Sequence, residues 1–178
     1  IHIDLGEERG CGKPDCAVGC DCDRFLELWN LVFTQYNQNE DGTYTPLKNK
    51  NIDTGAGLER LASVLQGKPS NFETDLMFPI IEYAAKIAGI EYGADEKSKV
   101  SLKVIADHAR SMTFMIGDGI LPSNEGRGYV LRRILRRAVR YGYTFLGQKQ
   151  AFMYKLVPTL IENMGDAYPE LKQQQDLI

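Results

Sequence analysis

A glycine-rich turn that ends in an arginine is the segment of this 178-residue chain whose composition most directly suggests chemistry. Gly55 and Gly57 precede Arg60 in the run Asp53-Thr54-Gly55-Ala56-Gly57-Leu58-Glu59-Arg60. Glycines let a backbone approach a ligand, and a guanidinium early in a helix can donate two hydrogen bonds to one phosphate. The run lacks the third glycine of a dinucleotide-binding turn and the Gly-Lys-Ser/Thr ending of a P-loop. We expect a strand, a glycine turn and a helix at 58–66 carrying a phosphate-binding arginine. The alternative is that Glu59 and Arg60 are ordinary surface charges.

A cluster of thiols precedes this turn. All four cysteines lie within twelve residues, and they are Cys11, Cys16, Cys20 and Cys22. Four thiolates this close can surround one tetrahedral zinc ion, and because all four positions would be filled by protein the site would be structural. Two disulfides and four free thiols are the alternatives, and a reducing compartment disfavours the disulfides. We expect structural zinc.

A long basic helix is predicted over residues 127–146. Its apolar residues form one stripe: Val130, Leu131, Ile134, Leu135, Ala138 and Val139. Its arginines form another: Arg132, Arg133, Arg136, Arg137 and Arg140, with Arg127 at the start. No Asp or Glu occurs from Gly126 through Ile161, so acid must come from elsewhere in the protein or from a nucleic acid, which we favour. Just before the helix, Ser123 or Asn124 could cap it, or the amide of Asn124 could read base edges.

The distribution of charge supports a polyanionic partner. The net charge is −3, but residues 1–98 carry −8 and residues 99–150 carry +7. No apolar run approaches the roughly 20 residues of a membrane helix, and no secretory signal opens the chain. We expect a cytoplasmic protein without a membrane partner. Because the chain does not begin with Met, we also expect an internal piece of a longer protein.

The elements that would position these groups indicate an α+β fold. A strand over 25–36 is apolar on both faces, which predicts cover on both sides. Asp41-Gly42 predicts a hairpin turn, followed by a short return strand over 44–47 that Pro46 interrupts. Beyond a boundary near 67–72 the pattern is helical, with helices over 74–88, 98–116, 127–146 and 151–164.

Five segments, in this order along the chain, resemble the alanyl-tRNA synthetase family, whose members are class II aminoacyl-tRNA synthetases. The segments are Leu28-Trp29-Asn30-Leu31-Val32-Phe33, Ile52 through Arg60, Ala106-Asp107-His108-Ala109-Arg110, Pro122-Ser123-Asn124, and Arg127 through Arg137. The resemblance covers essentially the whole chain and is specific as a set. The cysteine loop departs from it and looks like a lineage-specific version of a variable segment, so its zinc is not implied by the family as a whole.

The resemblance implies an antiparallel-sheet remnant of a class II catalytic domain over residues 1–68 and a helical tRNA-recognition domain over residues 69–178. It implies a ligase that activates alanine with ATP and Mg²⁺ and transfers it to the 3′ end of its tRNA. Asp53, which would take the alanine ammonium, and Arg60 would be the catalytic residues. The implied alanine site is Asn30, Val32, Asp53 and Gly55, and the implied ATP site is Gly57 and Arg60. The implied acceptor-stem contacts are Asn124, which would read a G·U pair, Arg127, Arg132, Arg133, Arg136, Arg137 and Arg140.

The same resemblance places motifs 1 and 2 before residue 1, and an editing domain and a second base-reading residue after residue 178. We therefore expect this piece not to complete catalysis alone. The alternative function is a synthetase-derived RNA-binding or regulatory module without catalysis.

Overall fold

Two small antiparallel sheets and six α-helices make up residues 1–178 in the computed structural model. The chain divides into two units, Ile1–Asn71 and Phe72–Ile178. All strands belong to the first unit, and the second is helical throughout. The prediction of an α+β fold is confirmed.

The first sheet closes the cysteine loop at its base. Strand β1 (His2–Asp4) pairs antiparallel with β2 (Phe25–Glu27), and a 3₁₀ turn at Glu7–Arg9 follows β1. Arg24 and Asp4 form a two-pronged ion pair across this base, from Nε to Oδ1 at 2.9 Å and from Nη2 to Oδ2 at 2.8 Å. The guanidinium and the Gly6 amide lower the pKa of Asp4. The loop is thus held at its base by both backbone pairing and charge.

The second sheet is a hairpin that leads into the glycine turn. Strand β3 (Trp29–Gln38) pairs antiparallel with β4 (Tyr44–Ala56) around the predicted turn, in which Asp41 accepts a hydrogen bond from the Thr43 amide. Gly57 follows β4 directly and caps α1 (Leu58–Leu65), so the predicted strand, turn and helix are confirmed.

Three details of the strands differ from the prediction. The strand over 25–36 is two strands, separated at Leu28, and the return strand runs to Ala56. Pro46 has no amide hydrogen to donate to the partner strand. It pairs with Tyr36 directly after a register shift between Thr34 and Tyr36, an irregularity at which a proline can be accommodated in the strand. The prediction that both faces are covered is also wrong for β3: Phe33 is 64 % exposed and Val32 51 %. Two strands alone leave both faces open.

The second unit is built on helices α2 (Phe78–Ala88), α3 (Glu96–Gly117), α4 (Gly126–Leu146), α5 (Val157–Met164) and α6 (Pro169–Gln173). The carboxylate of Asp95 caps α3 by accepting hydrogen bonds from the amide and hydroxyl of Ser98. The largest apolar core joins α2, α3 and the end of α4, and its fully buried members include Ile80, Leu102 and Ile105. A smaller cluster around Leu131 packs α4 against α3. No helix is both long enough and apolar enough to cross a membrane.

The helix boundaries and the buried face of α4 also require corrections. The helix predicted from 74 begins at Phe78 with Pro79 in its first turn, and the helix predicted from 151 begins as a 3₁₀ turn before Val157. The apolar stripe of α4 is narrower than predicted, because Val130 and Val139 are about half exposed. The buried positions of α4 are Gly128, Leu131, Ala138, Gly142 and Leu146.

Candidate functional site

The four residues expected to bind the amino acid lie together on the β3–β4 hairpin. Asn30 pairs with Gly55, and Val32 pairs with Asp53. Directly paired residues of an antiparallel ladder project to the same face, and so do residues two apart on one strand. The register therefore places an amide, an isopropyl group, a carboxylate and a glycine on one face of the hairpin. That face is exposed, and a Cβ at Gly55 would meet no atom within 4 Å.

The opposite face of the same hairpin is apolar. Trp29, Leu31 and Phe33 lie on it, each at least 40 % exposed. Thr54 lies on this face as well, accepts a hydrogen bond from the Trp29 indole, and donates one to the Asn30 carbonyl at 3.1 Å. These bonds hold the two strands in register just before the glycine turn.

Arg60 lies in the first turn of α1, three residues after Gly57. Its Nη1 donates to the carbonyl oxygen of Glu27 at 2.8 Å, and the side chain is otherwise exposed. A guanidinium has five N–H donors, so one bond to a carbonyl leaves donors for a second, anionic partner. A Cβ at Gly57 would lie 3.2 Å from Cδ of Arg60, which means that the glycine leaves room for the arginine side chain.

Glu27 connects the arginine to the hairpin and was not identified from the sequence. Its carbonyl accepts from Arg60, while its Oε1 accepts from Nδ2 of Asn30 at 3.0 Å. The carboxylate thus orients the Asn30 amide, and the backbone of the same residue orients the guanidinium. The only signal in the sequence was an acidic residue among the apolar residues of 25–33, which does not specify a partner.

The four cysteine thiols form one cluster, here called the cysteine cluster. Its members are Cys11, Cys16, Cys20 and Cys22, whose sulfur atoms all lie within 4.8 Å of one another. The pairs Cys11–Cys20 and Cys16–Cys22 are each separated by 3.6 Å between sulfurs, and all four thiols are free. A zinc–sulfur bond of about 2.3 Å requires tetrahedral sulfur–sulfur edges of about 3.8 Å. The cluster matches that spacing, so the four cysteines could hold zinc, and the disulfide alternative does not describe this structure.

The thiols differ in acidity because their surroundings differ. The backbone amide of Arg24 is the main cause that lowers the pKa of Cys22 to about 7. Burial, followed by the hydrogen bond with Cys22, raises the pKa of Cys16 to about 11. Cys22 therefore loses its proton more readily than Cys16, and a metal binds the thiolate form.

The arginines of α4 form an exposed cationic surface, here called the arginine face. It consists of Arg127, Arg132, Arg133, Arg136, Arg137 and Arg140, all exposed. Within the helical unit none of them forms a direct ion pair with a carboxylate, although the charge of Arg137 contributes to lowering the pKa of Asp107. Instead, Arg133 lies over the ring of Tyr129 at 5.9 Å and Arg137 over the ring of Tyr141 at 5.7 Å. The two aromatic rings hold the guanidinium planes without neutralising their charge.

Two clefts lie along this face. One of about 530 Å³ is lined by His108, Tyr129 and four of the arginines, and one of about 620 Å³ by three arginines with Tyr141 and Phe145. The Nδ1 of His108 donates to Asp107 at 3.0 Å, which lowers the pKa of that carboxyl group. The ring of His108 is therefore oriented by its neighbour at the edge of the first cleft.

Asn124 lies in the exposed loop before α4, where its Oδ1 accepts a hydrogen bond from Nη1 of Arg132. The alternative that Ser123 or Asn124 caps the helix is wrong. The cap residue is Glu125, no side chain caps it, and Ser123 instead donates to the Glu125 carbonyl at 2.8 Å. The asparagine amide is thus held beside the arginine face.

A family model described as "tRNA synthetases class II (A)" matches residues 1–178. The chain belongs to this family. Among curated relatives of this class II synthetase chain, it is 60 % identical over 176 residues to the "Alanine--tRNA ligase" of Carboxydothermus hydrogenoformans and 60 % identical over 176 residues to that of Desulforamulus reducens. It is 58 % identical over 178 residues to that of a Thermoanaerobacter species.

These matches cover 99 to 100 % of the present chain but 20 % of each relative. The synthetase chain described here therefore spans about a fifth of the length of the curated relatives it matches.

Proposed function

We propose that this chain is part of an alanine–tRNA ligase and contributes to both the alanine and ATP site and the surface that holds the tRNA acceptor stem. The observation that carries the proposal is the register of the hairpin, which groups Asn30, Val32, Asp53 and Gly55 on one face, just before the turn with Arg60. Family membership and the named relatives support the same conclusion.

In the amino-acid site, the carboxylate of Asp53 binds the ammonium group of alanine. Val32 and the open space over Gly55 accommodate its methyl side chain, and Asn30 supplies a polar contact oriented by Glu27. A pocket of this kind discriminates modestly against an amino acid that differs by one methylene or hydroxyl. We therefore expect alanine to be preferred, with weak activation of glycine and serine.

Activation is a phosphoryl-centre displacement. The carboxylate oxygen of alanine attacks the α-phosphorus of ATP, the bond to the β-phosphate oxygen breaks, and pyrophosphate leaves with that electron pair. Arg60 donates hydrogen bonds to ATP phosphate oxygens, and the Mg²⁺ that accompanies ATP supplies further positive charge. The contribution of this chain is orientation and charge stabilisation, with no protein nucleophile.

Transfer requires the acceptor stem to lie close to the adenylate. The terminal ribose hydroxyl of the tRNA attacks the alanyl carbonyl, and AMP leaves. The arginine face binds phosphates of the stem, and Asn124 contacts a base pair. Support comes from the exposure of all six arginines and from the lack of direct ion pairs between them and carboxylates of the helical unit.

The cysteine cluster would hold a structural zinc ion. The four sulfurs have the spacing of a tetrahedral site, and the loop from residue 10 to 23 contains almost no regular structure of its own. Zinc would fix this loop on the β1–β2 base. We assign it no role in the reaction.

The catalytic part of the proposal is tested by Arg60→Ala in a full-length ligase that contains this segment. Alanine-dependent ATP–pyrophosphate exchange should fall by at least about a hundredfold, the typical effect of removing a preorganised donor to transition-state charge. Lys50→Ala, which removes an exposed cation of β4, is the matched control and should retain exchange. Equal activity of the two variants would exclude Arg60 from the ATP site.

The RNA part is tested by the salt dependence of tRNA binding. Arg136→Met and Arg140→Met, made separately, should each weaken tRNA binding. Each should also reduce the slope of log affinity against log salt by about one for each phosphate that the variant no longer binds. Lys149→Met provides a control cation just beyond the end of α4. An unchanged slope in the arginine variants would show that this surface does not contact the phosphates.

A further inference from the structure

The loop that carries Asn124 is fixed to helix α4 at two points on one side of the helix. Gly128 has no room for a side chain, because a Cβ there would lie 2.3 Å from the Leu121 carbonyl oxygen and 2.4 Å from Oγ of Ser123. Arg132 follows one turn later and donates to the Asn124 amide. Residues four apart lie above one another on a helix, so the two fixing points form a continuous support.

The partner at the second point decides which way the Asn124 amide faces. A guanidinium can only donate hydrogen bonds, whereas a side-chain amide has an oxygen that accepts and an NH₂ group that donates. The oxygen must therefore face Arg132. The NH₂ group, with two N–H donors, is the part of Asn124 left for a ligand on the exposed side of the loop.

We propose that Arg132 is a positioning residue that fixes Asn124 as a hydrogen-bond donor toward the RNA. This inference rests on the proposed function and adds to it the chemistry of the contact. The shallow groove of an RNA helix offers acceptors at pyrimidine O2, purine N3 and the ribose 2′-oxygen, while guanine adds a donor at its 2-amino group. With its NH₂ group turned outward, Asn124 binds one of the acceptors and not the guanine amino group. Because wobble pairing shifts the uracil of a G·U pair from the position of the cytosine in a G·C pair, a donor fixed in one direction meets the pyrimidine O2 at different positions in the two pairs.

The arginines of α4 then have different roles. Arg133 lies over the Tyr129 ring rather than donating to Asn124, so it contributes charge to the arginine face. Arg132 contributes charge as well, but it also sets the orientation of the group that discriminates among base pairs. Loss of Arg133 should weaken all RNA substrates together, whereas loss of Arg132 should weaken the correct substrate selectively.

The experiment measures kcat/KM for charging two tRNAs, one with the G·U pair in the acceptor stem and one with G·C in its place, in a full-length ligase containing this segment. Arg132→Met should reduce the ratio of the two values by about tenfold, the equivalent of removing one charge-assisted hydrogen bond. Arg133→Met, the matched control, should lower both values and leave the ratio within about twofold. Equal loss of the ratio in both variants would overturn the positioning role.

The direction of the amide is tested by Asn124→Asp. Aspartate has the same shape and can accept from Arg132, but it has no N–H donor. We expect it to lose discrimination as fully as Asn124→Ala. Retention of discrimination by the aspartate variant would mean that the RNA reads an acceptor at position 124 and would refute the inference.

Alanine-dependent ATP–pyrophosphate exchange separates this inference from the proposed function. The exchange rate should be unchanged in the four variants, because none of them alters the β3–β4 hairpin. The variants are Arg132→Met, Arg133→Met, Asn124→Asp and Asn124→Ala. If the unmodified ligase showed no exchange with alanine, the proposed function itself would fail. If the unmodified ligase showed both exchange and G·U discrimination, and Arg132→Met discriminated equally well, only the positioning role of Arg132 would fail.

Discussion

Replacing Gly128 by alanine should move the loop that carries Asn124 without removing any polar group. The added Cβ would lie 2.3 Å from the Leu121 carbonyl oxygen and 2.9 Å from the Ser123 amide nitrogen. An ordinary contact begins near 3.4 Å, so the loop must shift by about 1 Å. Overpacking of this kind costs about 1–3 kcal/mol, and the better helix propensity of alanine returns up to about 1 kcal/mol. We expect the free energy of unfolding to fall by about 0–2 kcal/mol.

The functional effect should be larger than the loss of stability. A displacement of about 1 Å in a substrate-positioning group can reduce rate by two orders of magnitude. We therefore expect kcat/KM for charging of alanine tRNA to fall by at least about tenfold, with alanine-dependent ATP–pyrophosphate exchange unchanged.

Gly142→Ala is the matched control, because it adds the same methyl group to the same helix. There the Cβ would lie 2.4 Å from the Phe152 ring, inside the helical core and away from the Asn124 loop. Urea denaturation should show a similar destabilisation for both variants, whereas charging should fall only for Gly128→Ala. Equal charging by both would refute the inference that the Gly128 contact positions the loop.

Metal analysis of untreated protein should give close to one zinc ion per chain, and a content far below one would contradict the zinc proposal. Treatment with a chelator should then expose the 10–23 loop to proteolysis. Gly57→Ala should raise KM for ATP because the new Cβ displaces the side chain of Arg60, and an unchanged KM would show that this packing is not required. Leu102→Ala should lower the free energy of unfolding by about 2–5 kcal/mol because Leu102 is fully buried, and a loss below about 1 kcal/mol in urea denaturation would mean that the core closes over the cavity. The hydrogen bond from His108 lowers the pKa of Asp107 below its ordinary 3.8. The ionised Asp107 therefore contributes fully to the stability of the folded state above that pH, and this contribution is lost as the pH falls below it. The difference in unfolding free energy between the native protein and Asp107→Asn should therefore shrink below about pH 4, and a constant difference from pH 7 to pH 3 would contradict it.

Local features of the sequence predicted the fold class and the glycine turn well. The turn at Asp41-Gly42, the helix after Gly57 and the long helix from residue 126 each depend on residues close together in the chain. Glycine and proline restrict or free the backbone locally, and helical periodicity can be seen within a few turns. Such signals do not require knowledge of what packs against an element.

The cover of the hairpin could not be predicted in the same way. Apolar residues on both faces of 29–33 predicted a strand buried on two sides, but burial depends on partners that strand periodicity does not specify. In this chain β3 pairs only with β4, and Phe33 remains 64 % exposed. The pattern of β3 identified a strand correctly, but residues 1–178 do not supply the cover that it predicted.

The contacts that fix the candidate sites were also invisible in the sequence. Glycines have no side chain to contribute to a hydrophobic pattern, so Gly128 gave no indication that a loop packs against it. Glu27 joins Arg60 to Asn30 through a backbone carbonyl and a carboxylate, a contact that spans 33 residues in one case. Contacts of this kind depend on strand register and loop path, which only the folded structure supplies.

Alanine-dependent ATP–pyrophosphate exchange by Asp53→Ala, in a full-length ligase that contains this segment, tests the assignment of the hairpin face most directly. We expect Asp53→Ala to lose at least about a hundredfold of the exchange activity. Glu40→Ala, which removes an exposed carboxylate of the hairpin turn, should stay close to the unmodified enzyme. Exchange by Asp53→Ala at the level of the Glu40→Ala control would show that the carboxylate on that face of the hairpin does not bind the amino acid.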